Sequence, residues 1–146
     1  MASFNKFNAF VENVAEGVHN LGSDTLRVYL SNSTPSASHT AYDGVTGSTG
    51  PAEIAAGNGY TAGGNVASVS SSAQTAGVYK LVLNDPAVWT ATGGSIGPFR
   101  YVVLYNDTSA SNALIGYWDY GTSITLATTE SFAVDLDATN GVLTIT

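Results

Sequence analysis

The chain contains no cysteine, one methionine, four prolines and only four lysines and arginines in 146 residues. Without cysteine there is no disulfide framework and no thiolate metal site, so stability must come from packing or from association with other chains. Charged residues make up 10% of the sequence, against about 25% in an ordinary soluble domain. Lys6, Arg27, Lys80 and Arg100 stand against eleven acids, for a net charge of −7. Nucleic-acid binding through phosphates needs a basic face, and so does attraction to anionic lipid, so neither nucleic acid nor membrane is expected as a partner. No apolar run approaches the length of a membrane span, and nothing at the N-terminus reads as a signal peptide. The expectation is a soluble chain that is not marked for secretion.

Gly, Ser, Thr, Asn and Ala fill the places where Lys and Glu would stand, alongside eight tyrosines and two tryptophans. Such a surface either stays soluble through hydroxyls and amides or is hidden against partners, and aromatic residues are enriched at interfaces. The length suits one domain able to bury a core without staples.

The densest run of aromatic and β-branched residues is Ile96–Asn106, answered by Ala113–Tyr120 across the polar turn Asp107–Asn112. This predicts a central hairpin, Phe99–Tyr105 paired with Leu114–Tyr120. Phe99, Tyr101, Val103 and Tyr105 share one face of its first strand, and Arg100, Val102 and Leu104 the other. Both faces are largely apolar, which suits a strand covered on both sides, in a sandwich or against another chain.

Around this hairpin the remaining elements follow from periodicity. Phe4, Phe7, Val11, Val14, Val18 and Leu21 recur at spacings of three and four, with Phe10 widening the stripe. They predict an amphipathic helix over residues 3–21, capped by Ser3 and ended at Gly22. Gly17 weakens its last turn. Such a helix either packs over its own sheet or docks as an arm on a neighbouring subunit. Thr25–Ser31 alternates as a first strand with Leu26, Val28 and Leu30 inward. Residues 32–64 are rich in Ser, Thr, Pro, Gly and Ala, and read as an ordered excursion lying over a surface, that of another molecule included, with a short strand near Ala52–Ala55. Further strands are expected at Val66–Ser72, Gly77–Asn84, Val88–Thr90, Ser123–Ala127, Ser131–Leu136 and Val142–Thr146. Asp137–Gly141 joins the last two, with Asn140-Gly141 as a turn signal. The fold class is therefore all-β, an antiparallel β-sandwich or jelly-roll-like domain with one N-terminal amphipathic helix. Residues 1–22 form the helical arm and 23–146 a single β domain carrying the excursion at 32–64.

Candidate chemistry is sparse. Gly93-Gly-Ser-Ile-Gly97 matches the Gly-x-Ser-x-Gly pattern of a hydrolase elbow, but Pro98 and a strand follow it where a helix is needed. Both histidines, His19 and His39, precede it where one should come later. Ala56-Gly-Asn-Gly-Tyr-Thr-Ala-Gly-Gly64 resembles phosphate-cradling loops in glycine content alone; it lacks the lysine and the helix, and reads as tight turns. Asp107, Asp119, Asp135 and Asp137 could offer oxygens to calcium but fit no calcium-loop pattern. The two histidines do not make a zinc site. Acid pairs for glycoside hydrolysis depend on spatial separation, which sequence does not give. Trp89, Trp118, Tyr117 and Tyr120 could form a sugar platform, against a core role for Trp118. No catalytic residue, metal ligand or cofactor is assigned.

Ala2-Ser-Phe-Asn-Lys-Phe-Asn-Ala-Phe-Val-Glu12, the glycine-rich 56–64 stretch and Ser95–Asn106 resemble small virion proteins of tailed bacteriophages, over most of the chain. Within that group the chain looks like a capsid decoration (cement) protein. The resemblance implies a non-enzymatic structural protein on the capsid surface, commonly a homotrimer, that binds between major capsid protein subunits and stabilises the head. Its contact elements would be the N-terminal segment and the 32–64 excursion. The nominated interface residues are Phe4, Phe7, Phe10, Tyr42, Tyr60, Tyr101 and Tyr105. The alternative is a tail- or fibre-associated virion protein that binds glycan or receptor through its aromatics.

Overall fold

A computed structural model describes residues 2–146. Its strands are β1 (Phe4–Lys6), β2 (Leu26–Ser31), β3 (Asn65–Val66), β4 (Val69–Thr75), β5 (Val78–Leu83), β6 (Trp89–Thr90), β7 (Ile96–Asn106), β8 (Leu114–Leu126), β9 (Ser131–Phe132) and β10 (Leu143–Ile145). The α-helix, α1, spans Ala9–Ala15. The fold is all-β with this one helix among the described residues, and every strand pairing is antiparallel.

The β7–β8 hairpin dominates a five-stranded sheet of order β1-β8-β7-β2-β3. Tyr105 lies opposite Leu114, Val103 opposite Tyr117, and Tyr101 opposite Asp119. β8 is longer than the pattern indicates: it runs on to Leu126 and absorbs the separate strand expected at 123–127. Leu26, Val28 and Leu30 of β2 join Val102, Leu104 and Ile115 on one face, buried against Leu81 and Leu83 of the three-stranded sheet β10-β5-β4 and against Trp89. Tyr29, Tyr101, Val103, Tyr105 and Leu114 occupy the opposite face. Phe99 departs from the expected alternation. The register shifts between Phe99 and Tyr101, so the Phe99 ring turns to the first face while Tyr101 keeps to the second.

The N-terminal segment differs most from its pattern. The spacing of Phe4 and Phe7 fits a helix, yet Phe4–Lys6 is a strand on the free side of β8, with Phe4 opposite Trp118. The helix that follows has seven residues, starts after Asn8 rather than Ser3, and ends well before Gly22. Gly17, at φ +75°, is the left-handed residue that stops it. The Val18 amide donates to the Asn13 carbonyl at 2.8 Å and the Gly17 amide to Val14 at 3.3 Å, the paired bonds of a Schellman end. Phe10 and Leu21 are buried, but Val11 and Val18 face solvent, so the long apolar stripe is not a stripe in the folded chain.

The turn expected across Asp137–Gly141 forms, but the strands on either side of it do not pair with each other. β9 pairs with β6 and β10 with β5, so the two strands belong to different sheets. Asp137 holds its own turn, accepting from the amides of Thr139 and Asn140 at 2.9 and 2.7 Å.

Candidate functional site

The excursion of residues 32–64 is ordered and lies over a surface, as its composition suggests, and that surface is the chain's own sheet. Ala41 bridges to Ala113, the Tyr42 amide donates to the Asn112 carbonyl at 2.9 Å, and the Leu114 amide donates to Thr40 at 3.0 Å. This lays residues 40–53 over the tyrosine face. Glu53 then bridges to Ser31 and the Ile54 amide donates to Leu30 at 3.0 Å, which carries the chain round the end of β2 that β3 leaves uncovered. Beyond that edge Tyr60 enters the first core, 6.0 Å from the Trp89 ring. The excursion is thus a strap that seals both faces of the central sheet.

Its clasp is Glu53, which is 5% exposed. One carboxylate oxygen accepts from the Tyr60 hydroxyl at 2.8 Å and from the Gly63 amide at 2.7 Å; the other accepts from the Tyr42 hydroxyl at 2.8 Å. Tyr60 in turn accepts from the Leu30 amide at 3.0 Å. Arg27 donates to the carbonyls of Gly63 and Gly64 at 3.1 and 2.8 Å, and the Tyr105 hydroxyl donates to Gly63 at 3.0 Å. Gly64, at φ +66°, must be glycine, because a Cβ there would overlap the Val28 carbonyl. Tyr42 stacks on Tyr105 with ring centres 4.5 Å apart and leans on Tyr29 at 5.0 Å. Burial, reinforced by Glu53, raises the phenols of Tyr29 and Tyr42 well above the ordinary tyrosine range, and burial raises Tyr60 likewise. Burial and the nearby Asp107 push Tyr105 up to about 12. Chemically the cluster is a set of phenols held protonated as donors, which fixes conformation.

A second polar knot lies under the hairpin turn. Asn106 is fully buried, and its side-chain oxygen accepts from the amides of Thr108 and Ser109 at 2.9 and 3.1 Å. That orientation points its NH2 group at Asp24 at 2.6 Å and at His19 Nδ1 at 3.1 Å. His19 must therefore accept at Nδ1, which makes it the neutral tautomer with the proton on Nε2. Burial, opposed by the Asp24 charge, holds its pKa below the ordinary histidine range.

The nominated contact residues fall mostly inside the molecule. Phe7, Phe10, Tyr60, Tyr101 and Tyr105 are buried in the chain's own two cores, so in this conformation they are not presented to a partner. They bind the strap, the helix and the sheet to one another. Tyr42 is half-buried with its hydroxyl engaged by Glu53. Phe4, also half-buried, lies on Gly116 and Trp118. Trp89 is 2% exposed and cannot serve as a sugar platform in this conformation.

What is open lies elsewhere. A cleft of about 240 Å³ sits where β1 and the 132–142 segment flank the first face, lined by Phe4, Val102, Trp118, Tyr120, Phe132 and Leu136 among others. Tyr120 is exposed there, edge-on to Phe132 at 5.9 Å. The acids considered for calcium are not brought together. Arg100 grips Asp119 at 2.7 and 2.9 Å, Asp107 faces Arg27 at 3.8 Å, and Asp137 holds its turn. Among the described residues no three histidine or acidic side chains converge as a metal site would require. Ser95 lies in a turn, with its carbonyl held by the Asn58 side chain at 2.9 Å.

No family model, curated protein or solved structure matches this chain.

Proposed function

We propose that this chain is a non-enzymatic structural protein of a tailed-phage virion, a decoration protein that binds between major capsid protein subunits on the capsid surface and stabilises the head. The resemblance of residues 2–12, 56–64 and 95–106 to phage virion proteins first suggests the reading. The observation that carries it is the strap. A 32–64 segment rich in small residues, with Asp43 and Glu53 its only charges, is clasped by Glu53 across both faces of one sheet, so most of the aromatic side chains go into a rigid, self-contained tile. Such a tile keeps an exterior of hydroxyls and amides for packing against a shell, where large uncharged contacts with many hydrogen bonds are suitable. Contact with the capsid then falls to exposed surface rather than to the buried tyrosines. Self-association as a trimer belongs to the same reading.

The test is add-back. Heads produced without this protein are incubated with the purified chain, then sedimented and heated. Saturable binding in fixed ratio to the capsid subunit, with a higher rupture temperature, supports the proposal. Heads that bind none of it, or bind it without gaining stability, refute it.

A second reading, a tail or fibre component that binds glycan or receptor, is favoured by the cleft in which Trp118 and exposed Tyr120 stand beside Phe132. It predicts glycan-array binding that is lost on Tyr120→Ala, and an array without signal removes it.

A further inference from the structure

The strand β4 is an outer edge of the three-stranded sheet, and it differs from every other sheet edge among the described residues. The edges β1, β3 and β10, and the paired β6 and β9, are two or three residues long, and β1 carries Lys6. β4 has seven residues, Val69-Ser-Ser-Ser-Ala-Gln-Thr75, with no charge and no proline. From Ser70 to Val78 every residue is exposed, and half-burial begins at Val69 and Tyr79 at its base, so the β4–β5 hairpin stands out as a ribbon. Natural sheets protect long edges with lysines, prolines, bulges or a covering loop, because an open edge is a template for another strand. The ribbon's one irregularity lies between Val69 and Ser71, at its base. Beyond it, Ser71–Thr75 pairs regularly with β5 and has no strand hydrogen-bonded to its other side, although the turn at Gly22 comes close to the Ser72 side chain.

We infer that this edge is a self-association site at which β4 pairs antiparallel with β4 of a second copy, about a two-fold axis at Ala73. The occupant is a second copy for two reasons. An antiparallel pair is self-complementary when a strand meets its own two-fold mate, so one edge supplies every donor and acceptor the other needs. The chain also carries a net charge of −7, and approach between copies is repulsive wherever carboxylates face each other. The ribbon itself carries none: between Glu53 and Asp85 the only charged residue is Lys80, which donates to the Thr139 carbonyl at 2.9 Å and lies near Asp137 on the side of β5 away from β4. Centring on Ala73 sets Ser72 opposite Gln74 and Ser71 opposite Thr75, uncharged polar pairs; Ser72 already bonds Tyr79 and the Gln74 oxygen already accepts from the Gly77 amide, so the cross-strand bonds are those of the backbone. Two three-stranded sheets then become one continuous six-stranded sheet.

A single strand pair covers less than the roughly 800 Å² per partner of a firm complex, so the contact is weak in dilute solution and strengthens when copies are held close together. It rests on the chain alone, so it and the virion reading fail separately. A two-fold contact of this kind uses a different surface from a threefold one and can coexist with it in a closed shell.

The absence of cysteine makes the test clean. Ala73→Cys is compared, under mild oxidation near about millimolar protein, with Val45→Cys, an exposed site remote in sequence. Directly opposed antiparallel residues have Cα atoms about 4.5–5.5 Å apart, within disulfide range. Ala73→Cys should therefore form a covalent dimer about tenfold faster or more than the control, and a mixture of Ser72→Cys with Gln74→Cys should give the heterodimer in preference to either homodimer. In parallel, sedimentation equilibrium of the unmodified chain should show dimers that Ala73→Asp removes, since it sets two carboxylates face to face without touching the core. A chain that remains monomeric at that concentration, with Ala73→Cys linking no faster than Val45→Cys, overturns the inference. So does a dimer that Ala73→Asp leaves intact.

Discussion

Replacing Glu53 by alanine should be among the most damaging single changes outside the apolar core. The carboxylate accepts from three donors, the hydroxyls of Tyr42 and Tyr60 and the amide of Gly63. Without it each donor is left with no acceptor in a site from which water is largely excluded, at about 1–3 kcal/mol apiece. Partial rehydration through Tyr42, which is half-buried, lowers the sum, so a loss of about 3–6 kcal/mol is expected. Against a total of about 5–15 kcal/mol for a domain, that approaches unfolding. The neighbours should follow in order. Tyr60→Phe removes a donor to Glu53 and also leaves the Leu30 amide unpaired, at about 2–4 kcal/mol, whereas Tyr42→Phe gives up one bond at about 1 kcal/mol. The assay is urea unfolding followed by near-ultraviolet circular dichroism, which reports the stacked tyrosines, with hydrogen exchange of residues 40–64 as a local readout. The strap should loosen before the sheet melts. A Glu53→Ala loss below about 1 kcal/mol, or a Tyr42→Phe loss exceeding that of Tyr60→Phe, would show that the clasp does not hold the strap.

Three further outcomes follow from particular contacts. Gly116→Val should cost about 1–3 kcal/mol by thermal melt, because a Cβ there runs into the Phe4 ring, and Phe4→Ala in the same chain should recover part of it. Acid should destabilise through His19: its folded pKa lies below its unfolded value of about 6.5, so the unfolded chain takes up the proton first and stability falls as pH drops below that value. His19→Gln should flatten that slope in urea titrations between about pH 7 and pH 5. Alkali should act in the opposite sense: the phenols of Tyr29, Tyr42, Tyr60 and Tyr105 ionise less readily in the fold than in the unfolded chain, so their contribution is complete below the unfolded value of about 10 and is lost progressively as pH rises beyond it. A melt that is unchanged between about pH 9 and pH 11 would refute the buried-donor description of these tyrosines.

Elements whose pattern is local are legible in the sequence. Leu26, Val28 and Leu30 alternate and face the core, and the β7–β8 hairpin lies where aromatic and β-branched residues concentrate. The N-terminus misleads because Phe4 and Phe7 have helical spacing, while the pairing of Phe4–Lys6 with β8 is a long-range contact that no local period reports. Simple alternation puts Phe99 on the wrong face because the register shift beside it depends on the partner strand. The two-faced apolar hairpin does signal cover on both sides, but not that the cover is the chain's own strap. One signal is present: Glu53 is the only charged residue between Asp43 and Lys80. A lone carboxylate in so long an uncharged stretch is a candidate for burial with donors, and here it finds two tyrosines, one of them eleven residues before it and one seven after.

The most direct test of the virion proposal is the copy number of this chain in purified phage particles, measured by quantitative mass spectrometry against the major capsid protein. A ratio near one to one, or a simple fraction of it, is the predicted result and places the protein over the whole shell. A handful of copies per particle, or none, contradicts a decoration role, and a handful would direct attention to the tail and to the cleft beside Tyr120.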